Sequence, residues 1–363
     1  MTVQAAYQNR KDAHIRLAAD DAPATLNQFD ELAFVHHSLS GINRHDVDLH
    51  TTIAGLECPK PLYINAMTGG SDMARRINHE LATVANEFGL PMAAGSMSAF
   101  LANPAAADTY SVIRKANPTG IVIANINANT GPVDAQRAVD LLHADALQIH
   151  LNSVQEIVMP EGDRDFAHWE RAVAEITAAV SVPVIVKEVG FGMSRETFRV
   201  LTGLGVAAVD VAGRGGTDFA SIENRRRDRQ NYDYLTGWGQ SAAGSLLEIQ
   251  RSPGQPELLA SGGVRNPLDV VKALALGAGA VGVAGHFLRI VIDDGADELA
   301  TVVGDWLEQL TSLMTVLGAH SVAALVNTDL LITGTLAERS IRRGVDLSAC
   351  ANRSASVSGE LHQ

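Results

Sequence analysis

The sequence predicts an α/β fold, a (β/α)8 TIM barrel with an N-terminal arm and a C-terminal helical extension. Three observations carry that prediction. Short apolar runs recur roughly every 25 to 40 residues with helical segments between them, the rhythm of consecutive βαβ units and a parallel sheet. Glycine turns close both of the last two runs, within Leu258–Leu288. At 363 residues and 46% hydrophobic content, the chain is long enough to bury one large barrel core.

In chain order, residues 1–56 read as an N-terminal arm and barrel cover. Arg10-Lys11 with His14 precede any apolar run, and Phe29–Leu56 is irregular, with His36, His37, Asn43 and Asp46 suited to covering one barrel end. Residues 57–292 read as the barrel. Strands are expected at Pro61–Met67, Pro91–Ala94, Gly120–Asn125, Ala146–His150, Val182–Lys187, Ala207–Val211, Leu258–Ser261 and Ala280–Val283, and the first interstrand helix at Asp72–Phe88. The longest interval is an insertion at about 212–257, holding Gly213-Arg214-Gly215-Gly216-Thr217 and then Arg225-Arg226-Arg227-Asp228-Arg229. Insertions in this fold usually sit on the catalytic face, whereas an arginine run is usually solvated. Residues 293–347 read as closing helices, with Glu298–Leu317 amphipathic and Ala319–Leu331 also helical, and 348–363 as a polar, disordered tail.

Composition excludes several functions. A net charge of -13 argues against a nucleic-acid partner, so any anion must be captured locally. Cys58 and Cys350 are the only cysteines, too few for a disulfide framework or a thiolate metal site, and no signal-peptide pattern follows Met1; a cytoplasmic location is expected. The uncharged run Ala273–Leu288 is broken by four glycines and falls short of the roughly 20 residues that span a bilayer, so it reads as barrel interior and no membrane partner is expected.

Barrel active sites lie at the C-terminal ends of the strands. The polar or glycine positions there are Thr68, Ser96, Asn125, His150 with Asn152, Lys187, Thr217, Gly263 and Gly285. The unit Leu258–Leu288 has glycines at both strand ends and a helix opening at Asn266-Pro267, which suits a phosphate cradle; a tight turn with a good helix cap needs no ligand at all. Hydroxyls, amides, one lysine and two glycine turns resemble a flavin phosphate pocket more than a hydrolase. Lys187, ending the apolar Val184-Ile185-Val186, suits the negative charge of a reduced flavin, pairing with Glu188, or a Schiff base. His150, Asn152, Gln155 and Glu156 crowd one strand end, where they suit a polar substrate and, through Glu156, a hard divalent cation sharing diphosphate oxygens.

Taken together, Arg10-Lys11 with His14, Met67-Thr68-Gly69-Gly70, Gly95-Ser96, His150-Leu151-Asn152 with Gln155-Glu156, Pro160-Glu161-Gly162-Asp163-Arg164, Lys187-Glu188, Gly213–Thr217 and Ser261–Arg265 resemble the type 2 isopentenyl diphosphate isomerase family. The resemblance implies an isomerase that needs reduced FMN, Mg2+ and NADPH as reductant, acting on a small allylic or homoallylic diphosphate, and assembling as a homo-oligomer, a tetramer or octamer. It implies Met67, Thr68, Gly69, Ser96, Asn125, Lys187, Thr217, Gly263, Val264, Arg265, Ala284 and Gly285 for FMN. Arg10, Lys11, Ser96, His150, Asn152 and Gln155 would hold substrate, Gln155 and His150 would act in catalysis, and Glu156 would bind the metal. Ser96-Met97-Ser98 departs from the Gly-Ser-Gln string common in that family. The alternatives are an FMN-dependent 2-hydroxy acid oxidase or dehydrogenase, which expects a histidine where Gly213-Arg214-Gly215-Gly216 has none, and a non-catalytic flavin-binding barrel.

Overall fold

The computed structural model describes residues 12, 13, 15–17, 27–249 and 251–354. Arg10, Lys11, His14 and the end of the tail, 355–363, lie outside the described residues. Eight parallel strands close a barrel in sequence order: β1 (Leu62–Ile64), β2 (Met92–Ala93), β3 (Val122–Asn127), β4 (Ala146–Leu151), β5 (Val184–Glu188), β6 (Ala208–Asp210), β7 (Glu257–Ser261) and β8 (Ala280–Val283). Helices follow the strands on the outside, so the chain is the (β/α)8 barrel that its periodicity implies. The helix Asp72–Phe88 starts on Ser71, whose side chain accepts from Ala74 N–H, and ends at Gly89 in the left-handed region. The fifth strand opens at Val184 rather than Val182, because Pro183 has no N–H for the ladder.

Side chains alternate across a strand, and this alternation sorts the barrel into layers. Leu62, Ile64, Val122, Ala124, Leu147, Ile149, Val184 and Val186 face outward into the core shared with the helices. Tyr63, Ala93, Ile123, Ala146, Ile185, Ala208, Leu259 and Ala280, one from each strand, fill an apolar layer inside. The hairpin Thr51–Ile53 and Leu56–Cys58 closes that layer from the end where the strands begin, adding Ile53, Ala54 and Cys58 to it. It is fastened by Thr51 Oγ1 to Gly279 O (2.7 Å) and Thr52 Oγ1 to Glu257 Oε1 (2.9 Å). Two residues further along, the inward positions of six strands become polar: Asn65, Asn125, Gln148, Lys187, Asp210 and Ser261, all buried, with Gly95 and Gly282 at the other two. The apolar layer is the floor and the polar layer the bottom of the site.

Beyond the barrel, Ala296–Val316 is the expected closing helix. Ala319–Leu331 departs from its helical reading: only a 3-10 turn forms at Ala323–Asn327, and Leu330–Ile332 is a strand antiparallel to Leu32–Phe34. The reason lies in the residues. Thr328 Oγ1 donates to Leu325 O (2.6 Å) and ends the turn, and Leu330 is buried while Leu331 is 46% exposed, a period of two. The start of the expected disordered tail is likewise ordered. Asp346 caps a helix over Leu347–Ala351, Cys350 is buried, and Ser354 Oγ donates to Asp329 Oδ2 (2.6 Å), which His37 Nε2 also meets (2.9 Å).

The layer contact of β1 and β8 is tight. A Cβ on Gly282 would lie 2.5 Å from the Tyr63 ring. Tyr63 is fully buried, so it has no free volume to move into. Gly282→Ala is expected to destabilise the fold by about 1–3 kcal/mol through overpacking. A thermal unfolding temperature equal to that of the unaltered protein would show that Tyr63 yields instead.

Candidate active site

At the C-terminal ends of the strands two compartments share a wall made of Ala66, Met67, Lys187, Val189 and Phe219. The first, about 300 Å3, is walled by glycine turns: Gly213, Gly215 and Gly216 after β6, Gly262 and Gly263 after β7, and Gly285 after β8, with Thr217, Val264, Arg265, Ala284, His286 and Arg289 beside them. The second, about 260 Å3, is polar, lined by Ser96, Asn125, Asn127, His150, Asn152, Gln155, Glu156, Glu161 and Asp163. The turns pack directly on one another. Gly262 has φ +89°, and a Cβ there would lie 1.9 Å from Gly213 O, so both backbone conformation and space require glycine.

Beneath both compartments lies Asp210, fully buried at the end of β6. Its carboxylate accepts from Tyr63 OH (2.7 Å), Asn65 Nδ2 (2.9 Å), Ser261 Oγ (2.8 and 3.0 Å) and Ala212 N–H (3.0 Å). Burial pushes the Lys187 pKa down, and the charges of Asp210 and then Glu188 oppose that shift. Lys187 Nζ donates to the backbone oxygen of Glu188 (2.5 Å), not to its carboxylate. The Glu188 carboxylate takes Val189 N–H (2.6 Å) and Phe191 N–H (2.7 Å), yet burial still pushes its pKa up to about 7.

The polar compartment is built around β3 and β4. Asn125 Nδ2 donates to Gln148 Oε1 (3.3 Å), which leaves its carbonyl oxygen to accept from His150 Nδ1 (2.8 Å). That pairing fixes the ring and directs Nε2 away from the amide. The helix Ser153–Val158 then carries Gln155 and Glu156. Glu156, 7% exposed, accepts from Asn152 Nδ2 (2.9 Å) and Asp163 N–H (2.8 Å). Gln155 Nε2 donates to Glu223 Oε1 (2.9 Å), and its own carbonyl accepts from Asn152 Nδ2 (3.2 Å). Glu223 is fully buried and is also held by Arg226, which reaches Glu161 with its other nitrogen (2.7 Å).

Some buried polar atoms in and under the site lack a partner: Thr68 Oγ1, Gln148 Nε2 and Asn152 Oδ1. An unpaired buried polar atom costs about 1–3 kcal/mol. Such atoms, together with glycine turns that wall a compartment of about 300 Å3, suit a ligand that carries both polar ring atoms and a phosphate. Among the described residues no three side chains form a closed metal cage, so a cation at Glu156 would need oxygens from a substrate.

Most of the expected residues converge here. Met67, Lys187, Thr217, Gly263, Val264, Arg265, Ala284 and Gly285 line the glycine-walled compartment, and Ser96, Asn125, His150, Asn152, Gln155 and Glu156 the polar one. Thr68 and Gly69 line neither; Thr68 is buried, and Gly69 abuts the Tyr110 ring. The Arg265 guanidinium is taken by Asp269 and Asp30. The arginine run departs from its solvated reading at two positions. Arg226 binds Glu223 and Glu161, and Arg227 donates to Val158 O (2.8 Å) and lies 4.8 Å over the Tyr232 ring. Sequence reading missed Asp210 and Glu223. Asp210 carries the same signal that picked out Lys187, a charge ending an apolar strand; Glu223 is marked only by its i,i+3 spacing from Arg226.

The family model for FMN-dependent dehydrogenases matches residues 114–332, so this is an FMN-binding barrel of that class. Solved structures agree on the fold. A mandelate oxidase variant with an FMN monooxide adduct is 17% identical with a TM-score of 0.59, over 88% of this chain and 92% of that one. A flavocytochrome b2 variant with bound sulfite is 19% identical with a TM-score of 0.64, over 86% and 81%. Much nearer in sequence are proteins named isopentenyl-diphosphate delta-isomerase: 54% identical in Streptomyces sp. (strain CL190) and 55% in Kitasatospora griseola, each over 96% of both chains, and 46% in Listeria welshimeri over 95% of this chain and 97% of the relative. The chain belongs to the FMN-dependent, type 2 family of isopentenyl-diphosphate delta-isomerases.

The raised pKa of Glu188 has a consequence for stability. Between the ordinary carboxyl value of 4.5 and about 7, the folded protein holds a proton that the unfolded chain has lost. Stability from this group is therefore full below about 4.5 and declines as pH rises to about 7. Glu188→Gln should flatten that part of the profile. Unfolding temperatures followed from pH 4.5 to 8 that fall in parallel for both proteins would reject the assignment.

Proposed function

We propose that this chain interconverts isopentenyl and dimethylallyl diphosphate by a 1,3-allylic proton shift, with reduced FMN in the glycine-walled compartment and the substrate, with Mg2+, in the polar one. The observation that carries this reading is the shared wall of Met67, Lys187, Val189 and Phe219, which sets a ligand in one compartment directly against a ligand in the other. The reaction adds a proton at the terminal alkene carbon and removes one from the carbon two bonds away, with no net redox change. Bound in reduced form, FMN supplies an electron-rich acid and base beside the cationic character that develops.

The chain's own residues bind and orient. His150, Asn152 and Ser96 hold the diphosphate end, joined by Arg10 and Lys11 of the N-terminal arm. Glu156 holds Mg2+ with one carboxylate, the remaining ligands being diphosphate oxygens and water. Gln155 meets the reacting carbons, and its support is the fixed amide: with Nε2 on Glu223 and Oε1 on Asn152, the side chain has one orientation. Lys187 stands at the shared wall as the cation for the reduced ring, and Met67, Thr217 and the turns at Gly263–Arg265 and Ala284-Gly285 hold the cofactor, supported by Thr68 and Gly69, which follow Met67 in the chain, and by Asn125 from the polar compartment. We further infer NADPH as reductant, a cytoplasmic location and a homo-oligomer. Both cysteines are free and buried, and Leu39, Val316 and Leu331 are exposed apolar residues that an oligomer would cover. No helix among the described residues is long and apolar enough to cross a membrane.

The decisive assay follows isopentenyl diphosphate conversion with Mg2+ before and after flavin reduction. Turnover is expected only in the reduced state, and equal turnover in the oxidised state would sink the role given to reduced FMN. Glu156→Gln should lower Mg2+-dependent turnover by roughly two or more powers of ten, the scale set by losing a charged contact to the substrate complex, with the flavin spectrum intact. An unaltered Mg2+ dependence would remove Glu156 from the metal site.

A further inference from the structure

Among the described residues, three lysines or arginines line the glycine-walled compartment: Lys187, Arg265 and Arg289. Two of them are already committed. Lys187 donates to Glu188 O above the buried Asp210 carboxylate. Arg265 gives Nε to Asp269 (2.9 Å) and Nη1 and Nη2 to Asp30 (2.9 and 2.5 Å). Two carboxylates on one guanidinium leave no positive charge over for a ligand. Arg265 serves instead to bind the turn after β7 to the N-terminal segment, beside Asn27 Nδ2 on Gly263 O (2.5 Å).

Arg289 differs from both. It sits on the helix Gly285–Asp293, half-buried, and makes no hydrogen bond or ion pair with any described residue. Its side chain points back along the helix toward the helix start, as long side chains on helices do. A Cβ built on Gly285 would lie 3.7 Å from Arg289 Nη1 and 3.0 Å from Thr217 Oγ1. The space in front of Gly285 is thus bounded by a guanidinium on one side and a hydroxyl on the other, next to the first N–H groups of the helix. His286 adds no second charge there, since burial and then Arg289 push its pKa down. A guanidinium drawn partly out of water without a carboxylate has lost hydration that an anion would restore.

We propose that Arg289 is the side chain that neutralises the phosphate of bound FMN, and that it makes this compartment select FMN over uncharged riboflavin. The inference rests on the FMN reading of the family. A phosphate monoester carries about -1.5 to -2 charges at neutral pH, and the planar fork of arginine meets two of its oxygens at once. Thr217 Oγ1 and the backbone N–H groups at Gly263 and Gly285 then complete the cradle, and the Arg265 guanidinium stays with its two carboxylates.

The test compares two ligands that differ only in the phosphate. Purified holoenzyme is stripped of flavin, and FMN and riboflavin are titrated back while flavin fluorescence is followed, for the unaltered protein, Arg289→Gln and Arg289→Met, with circular dichroism as the check on folding. Arg289→Gln should weaken FMN roughly ten- to hundredfold, the scale of a charged hydrogen bond, and leave riboflavin unchanged. The salt dependence of FMN binding should flatten with it. Arg289→Met, which keeps the apolar stem, should give the same loss of FMN preference and carries the test if the glutamine variant does not fold. An FMN-to-riboflavin ratio unchanged in these variants would overturn the proposal, as would an equal loss for both flavins, which marks a structural role. An unaltered protein that binds neither flavin would instead remove the FMN reading, and the proposal with it.

Discussion

One buried carboxylate sets the terms for the rest of this barrel. Asp210 has no access to water, and its charge is tolerable only because Tyr63, Asn65, Ser261 and the Ala212 N–H all donate to it while Lys187 supplies a nearby positive charge. Those partners come from β1, β5 and β7 and from the turn after β6. A charge that must satisfy so many donors at once fixes the relative height of four strands, because sliding one strand would strand either a donor or the carboxylate. The price is that no member of the set is replaceable alone.

Above that constraint, the alternation of the strands does the sorting. Because inward positions recur every second residue, a strand that places a small or apolar side chain in the floor layer places its next inward side chain in the polar layer and the one after that at the mouth. On β4 this sequence is Ala146, Gln148, His150; on β3 it is Ile123, Asn125, Asn127. The wall of the polar compartment is therefore a direct extension of the packed floor, and its side chains inherit rigid strand backbones. The glycine-walled compartment is made differently, from turns that touch one another backbone to backbone, where no side chain fits. One half of the mouth is lined by polar side chains and the other largely by glycine turns, a division that suits the polar substrate and phosphate-bearing cofactor proposed for them.

Much of this was legible in the residues, and what was not has identifiable physical causes. The eight strands were readable because buried parallel strands are short apolar runs between helices, and the strand-end rule then named His150, Lys187, Gly263 and Gly285 without any three-dimensional information. Asp210 ends Ala207-Ala208-Val209 as Lys187 ends its own strand, but nothing local says that Tyr63 and Ser261, far away in sequence, point at it. The pairing of Gln155 with Glu223 is similarly non-local. The partners of Arg265 are equally non-local. Its turn is legible as part of the glycine-walled site, but nothing local announces that Asp30, 235 positions earlier, takes its guanidinium. The strand at Leu330–Ile332 is hidden in the sequence because all three residues are apolar, so their alternation shows only in burial, and its partner at Leu32–Phe34 lies far away in the chain.

That last pairing bears on how the chain is made. The segment 27–34 pairs with Leu330–Ile332, Asn27 reaches Gly263, and Lys272 Nζ donates to Phe29 O (2.7 Å). Every one of these partners is synthesised more than two hundred residues later. At a translation rate of about 5–20 residues per second, the segment emerges from the ribosome roughly twelve seconds to a minute before them. The strands from β1 to β6 have all been synthesised by then. Segment 27–34 thus cannot dock until the turn after β7 exists, and the glycine turns there are braced by residues made long before them.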